Sequence, residues 1–120
     1  MVCHSVRGEG RNFGPVLNGA GAMDPESLLR SVVTPGASIE SGYYRFRVET
    51  KEGETVDGLL LSQNDNEIVL RPVTGEDLRI SRSNVRRAAF DRSSLMPEGL
   101  LETMKEQDVS DLFTFLRTLK

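Results

Sequence analysis

The sequence predicts an α+β domain: a five-stranded antiparallel sheet, or a small barrel of the same strands, set between helical ends. Two patterns predict it. From Tyr44 onward apolar residues alternate with charged ones, and turn signals recur at short, regular spacing as far as Phe90. Outside that stretch the apolar period is helical, over Leu28 to Val33 and again over Val109 to Leu119.

Residues 1–23 read as loop, because glycines at 8, 10, 14, 19 and 21 disfavour a free-standing helix or strand. Asp24-Pro25-Glu26-Ser27 reads as a helix start, with Asp at the cap and Pro in the first helical position. Leu28, Leu29, Val32 and Val33 form the apolar stripe of a short helix that Thr34-Pro35-Gly36 ends. Tyr44, Phe46 and Val48 then alternate with Arg45, Arg47 and Glu49. Glu52-Gly53 turns the chain into Thr55–Ser62, and Asn64-Asp65-Asn66 turns it into Glu67–Val73. Thr74-Gly75-Glu76 leads into Asp77–Ser81, and a last strand runs Val85–Phe90, completing a meander that curls toward a barrel. Leu59-Leu60-Leu61 is expected to be buried on both faces. Pro97 to Leu101 predicts a turn of helix. Val109, Leu112, Phe113, Leu116 and Leu119 make the closing stripe, with Asp108 and Asp111 early and Arg117 and Lys120 late, as the helix dipole favours. Lys105 stands where a capping Ser, Thr or Asp would be expected.

A length of 120 residues fits one domain, with parts 1–39, 40–92 and 93–120. A net charge of −3 supplies no overall basic field, so no nucleic-acid partner is expected. The local exception is Arg79, Arg82, Arg86, Arg87 and Arg92, opposed nearby in sequence by Asp91 and read as a solvated sheet edge. One cysteine forms no internal disulfide. No apolar run approaches membrane-spanning length, and no signal peptide precedes Cys3.

The one cysteine and the one histidine are neighbours, Cys3-His4. Either this is the tail of a Cys-x-x-Cys-His haem-attachment motif, or it is a chance pair near a frayed terminus. A c-type haem needs thiols for thioether bonds, a His ligand with its other nitrogen held, a second ligand such as a Met thioether, and an apolar wall. Gly14-Pro15-Val16-Leu17 follows His4 at short range; the Pro15 carbonyl can accept from the imidazole, and Leu17 can lie against the ring. Met96, in Ser94-Leu95-Met96-Pro97-Glu98-Gly99-Leu100, stands just before a Pro and projects from an irregular loop. Met23 and Met104 read as packing residues. A hydrolytic triad is not legible with a single His beside the single Cys, and a structural zinc site needs four ligands where two candidates exist.

Together these segments resemble the haem-binding domain found at the C-terminus of large planctomycete and verrucomicrobial proteins, a relative of cytochrome c. The resemblance covers essentially the whole chain. It runs through Cys3-His4, Gly14-Pro15-Val16-Leu17, Pro25-Glu26-Ser27-Leu28-Leu29, Gly42-Tyr43, Ser94 to Leu100 and Asp108 to Leu116. It implies cytochrome c-like helices interrupted by an inserted five-stranded sheet. It implies haem c with its iron held by His4 and Met96, a thioether at Cys3, Pro15 orienting His4 and Leu17 lining the pocket. It also implies a non-enzymatic electron-transfer module outside the cytoplasm, fed by a donor domain of a larger parent protein and serving an unidentified acceptor. The Arg79–Arg92 cluster would then meet haem propionates or a partner. The first Cys of the motif would fall one residue before Met1, so the chain as written makes at most one thioether, which puts haem occupancy in question, and Cys3 and His4 are expected to be loosely held. The competing reading is a binding module without haem, a small β-barrel of the Sm or SH3-like type with the arginines as its face.

Overall fold

The structure, a computed structural model, describes residues 2–73 and 75–120. Met1 and Thr74, the first residue of the predicted 74–76 turn, lie outside the described residues. The chain divides into two compact units: Met1–Ile39 with Met96–Lys120, and Glu40–Leu95.

The first unit opens with an antiparallel hairpin, β1 (Ser5–Val6) and β2 (Glu9–Gly10), where the sequence predicts loop. The hairpin turns at Arg7 and Gly8, which both take positive φ, 52° and 85°, as a two-residue hairpin loop requires. A 3₁₀ turn (Ala20–Ala22) precedes α1 (Pro25–Val33). Asp24 caps α1, its Oδ1 accepting from the Ser27 N–H at 2.9 Å. Hydrogen bonds from the Ser27 hydroxyl and then its backbone N–H hold the Asp24 carboxyl below its usual range. Of the α1 stripe, Leu28 reaches the core while Leu29 and Val33 stay exposed. The second helix, α2 (Glu106–Arg117), starts at Lys105 without a side-chain cap. Leu116 and Leu119 join Val6, Ala20 and Leu28 in one apolar cluster, against which Leu17, Leu112 and Phe113 pack.

This is not a cytochrome c-like helical fold. The α-helices among the described residues are nine and twelve residues long, and most of the ordered backbone is sheet. The helical turn predicted at Pro97–Leu101 is absent. Gly99 takes φ 79° there, and the segment continues as turns, with the Glu102 N–H on the Gly99 carbonyl at 3.2 Å.

The second unit is one antiparallel sheet of β3 (Tyr44–Thr50), β4 (Thr55–Gln63), β5 (Glu67–Arg71), β6 (Leu78–Ser81) and β7 (Val85–Ser94), in the order β6-β5-β4-β3-β7. Three strands follow β3 as a meander, and β7 then returns beside β3. Alternation sends Phe46 and Val48 to one face, where Ile68, Leu70 and Ile80 complete a core. The opposite face carries an ion-pair ladder: Arg47 to Asp57 at 2.7 Å, Arg45 to Asp57 at 3.5 Å and Arg47 to Asp91 at 3.9 Å. The leucine run is not buried on both faces. The β4–β5 register slips between Leu60 and Ser62, leaving Leu61 as an extra residue that is 41% exposed.

Two arginines of the cluster meet acids from other strands, and Asp91 pairs instead with Arg47. Arg79 meets Glu67 at 2.6 Å, Arg86 meets Glu49 at 3.6 Å, and Arg82 donates to the Asn64 carbonyl and to Gln63. Among the described residues, the side chains of Arg87 and Arg92 have no ion pair or hydrogen bond. No described helix is long and apolar enough to cross a membrane.

Ile68→Ala or Leu70→Ala, at positions with 0% exposure, should lower the unfolding free energy by about 2–5 kcal/mol in urea titrations. Leu61→Ala should stay within about 0.5 kcal/mol. The depressed Asp24 carboxyl contributes stability that is present above its unfolded pKa and is lost as pH falls through its native value. Asp24→Asn keeps a capping oxygen but cannot titrate, so it should flatten the acid limb of a stability–pH profile.

Candidate functional site

The loop 10–17 is wrapped onto the segment 3–5 by backbone bonds. The Cys3 carbonyl accepts from the Phe13 N–H at 3.0 Å and the Gly14 N–H at 2.6 Å. The His4 carbonyl accepts from Arg11 at 3.2 Å, and the Ser5 carbonyl from Leu17 at 3.0 Å. Side chains add to this: the Ser5 hydroxyl donates to Asn12 Oδ1 at 2.9 Å, and the Arg7 N–H donates to Asn18 Oδ1 at 2.7 Å. Phe13 is buried, with the Arg11 guanidinium over its ring at 5.7 Å. Cys3 and His4 are therefore bonded into the loop, contrary to the expectation that they are loosely held.

His4 Nδ1 lies 2.7 Å from the Pro15 carbonyl oxygen. A carbonyl only accepts, so Nδ1 carries the proton. In the neutral imidazole the lone pair is then on Nε2, the nitrogen free for a metal. Gly14 sets the ring's position from one side. A Cβ there would come within 2.7 Å of His4 Cε1 and 2.9 Å of Nδ1, so the close approach requires glycine. Gly10, at φ 110°, plays the same part for the backbone, since a Cβ would collide with the His4 carbonyl oxygen.

The structure thus brings His4, Pro15 and Cys3 into one loop. Cys3 is a free, half-buried thiol. Leu17 is half-buried and leans on the apolar cluster of Val6, Ala20, Leu28, Leu116 and Leu119. Met96 is half-buried at a bend just before Pro97 and belongs to the same unit as His4. Val2 and Val16, next in sequence to Cys3 and Pro15, are 67% and 54% exposed. Met23, expected to pack, is 41% exposed. Among the described residues no group of three or more His, Cys, Asp and Glu side chains could hold a metal ion. Sequence reasoning missed Asn12, Asn18 and the steric role of Gly14, which depend on the hairpin that brings these residues back to residues 4–7.

No protein-family model matches the chain, and no curated protein matches it in sequence.

In ¹⁵N-resolved spectra of neutral protein, His4 should be protonated at Nδ1, the minor tautomer of a free imidazole. Gly14→Ala should displace the ring and return it toward the Nε2-protonated form. An Nε2-protonated His4 in the unmutated chain would contradict the assigned hydrogen bond.

Proposed function

We propose that this chain holds a c-type haem for one-electron transfer, in which His4 Nε2 and Met96 would hold the iron and Cys3 would anchor the group as a thioether. The observation that carries this reading is the 2.7 Å bond from His4 Nδ1 to the Pro15 carbonyl. It fixes the tautomer a metal requires and makes Nε2 a better donor.

The residues present fit the group. The donors are an imidazole, an adjacent thiol and a thioether in the same unit, and the exposed Val2 and Val16 offer apolar surface beside the first two. When bound, the haem supplies an iron that cycles between two oxidation states. The Pro15 carbonyl accepts the Nδ1 proton, and Gly14, lacking a Cβ, leaves room for the ring to lie close against the loop. Leu17, braced on the apolar cluster, helps exclude water. Met96, as a thioether ligand, would favour the reduced iron and raise its potential. In this reading the module works outside the cytoplasm, takes electrons from a neighbouring domain of a longer protein and passes them to an acceptor.

The test is a spectrum and intact mass of the chain with a cysteine placed immediately ahead of Met1, produced in cells that carry cytochrome c maturation machinery. The expected result is a mass gain of one haem and low-spin bands that change on Met96→Ala and are lost on His4→Ala. A folded but colourless protein would overturn the haem reading. It would favour the binding module instead, with Phe90 and the unpaired Arg87 and Arg92 on β7 as the surface to examine.

A further inference from the structure

We propose that Asn18 is a site of spontaneous covalent modification, converting through a cyclic imide to aspartate and isoaspartate. Three observations carry it. Asn18 is followed by Gly19, both residues are exposed, and nothing lies within 4 Å of where a Gly19 Cβ would be. The Gly19 N–H makes no hydrogen bond among the described residues, while the N–H groups of Leu17, Ala20, Gly21 and Ala22 are all committed. Asn18 Oδ1 accepts the Arg7 N–H at 2.7 Å, which polarises the side-chain carbonyl and stabilises the negative charge that develops on that oxygen during attack.

The chemistry needs only water and base. Gly19 N loses its proton and attacks Asn18 Cγ. The N–Cγ bond forms, the Cγ–Nδ2 bond breaks, and the amide leaves as ammonia. Water then opens the ring. Addition at Cγ regenerates the ordinary peptide as aspartate; addition at the main-chain carbonyl leaves the chain running through the side chain, as isoaspartate.

The other candidate positions are closed by the same criteria. The residue after Asn12 has its N–H on Cys3, the one after Asn66 donates to Asn64 Oδ1, and the one after Asn84 donates to Arg82. Asn64 is followed by Asp65, whose side chain hinders ring closure. Asp57-Gly58 is the chain's Asp-Gly pair, but Gly58 is buried in the sheet opposite Phe46, whereas Gly19 is exposed.

The consequence falls on the His4 loop. Asn18 ties the β1–β2 turn to the segment that carries Pro15 and Leu17. Isoaspartate lengthens the backbone there by one carbon, loses the clip to Arg7 and disturbs the bond from the Ala20 N–H to the Leu17 carbonyl, 3.0 Å.

The experiment incubates the intact protein at mildly alkaline pH and follows each asparagine by peptide mass after digestion in acid. Asn18 should convert at least about tenfold faster than any other asparagine, a difference of about 1.4 kcal/mol in barrier. It should do so at a rate comparable to that of the urea-unfolded chain. Gly19→Ala, at φ −101° and in open space, should leave the urea midpoint unchanged and suppress the conversion. The proposal is overturned if folded Asn18 stays intact while the unfolded chain converts, or if Asn18 converts no faster than the other asparagines.

Discussion

The carbonyl groups of Cys3, His4 and Ser5 have no helix or wide sheet to pair with, and a buried carbonyl left unpaired is costly. The loop 10–17 satisfies all three, and the Cys3 oxygen takes two donors. Each such bond contributes about 0.5–1.5 kcal/mol net, but their joint effect on geometry matters more. With residues 13, 14 and 17 pinned to residues 3 and 5, Pro15 has one place to go, and its carbonyl arrives at the imidazole. The position of His4 is therefore set by backbone bonds made elsewhere in the loop. A ligand meeting this histidine does not have to order it, which removes one of the usual costs of binding.

Part of this site was legible in the sequence. Cys3-His4 and the Gly-Pro-x-Leu segment are readable as residue types, and a proline carbonyl as the imidazole's partner follows from chemistry. The hairpin was not legible, because its turn puts Arg7, a residue with a Cβ, at φ 52° with no compositional sign of it. Everything that depends on that turn was hidden with it: the Ser5–Asn12 and Arg7–Asn18 bonds, and the need for glycine at 14. Glycine count alone argued for loop, whereas Gly8 and Gly10 serve the turn and Gly14 the contact with the ring.

The sheet is legible in the sequence because its signals are local, and so are the two helices, α1 at its Asp24-Pro25 start and α2 along its apolar stripe. The alternation of β3, Gly53 at φ 90° in the β3–β4 turn, and Asn64, whose Oδ1 accepts the N–H groups of Asn66 and Glu67, each act within a few residues. Two of the differences within the sheet are non-local. Leu61 is ejected by a register slip that depends on what β5 offers opposite. The arginines find acids on β3 and β5, far away in sequence. The helical expectation failed at Pro97–Leu101, where Gly99 adopts a backbone that a helix cannot continue through.

The order of segments along the chain also limits what the sheet can contribute. Residues 40–95 separate the His4 loop from Met96, yet they have their own core of Phe46, Val48, Ile68, Leu70 and Ile80. Their polar face is compensated internally, with Asp57 serving both Arg45 and Arg47. The sheet thus has an apolar core and an ion-pair ladder of its own. The loop in turn draws its bonds from residues 3–18 and its apolar support from Ala20, Leu28 and the last helix. The single histidine and the single cysteine both lie outside the sheet, so any metal chemistry that uses them begins in the first unit.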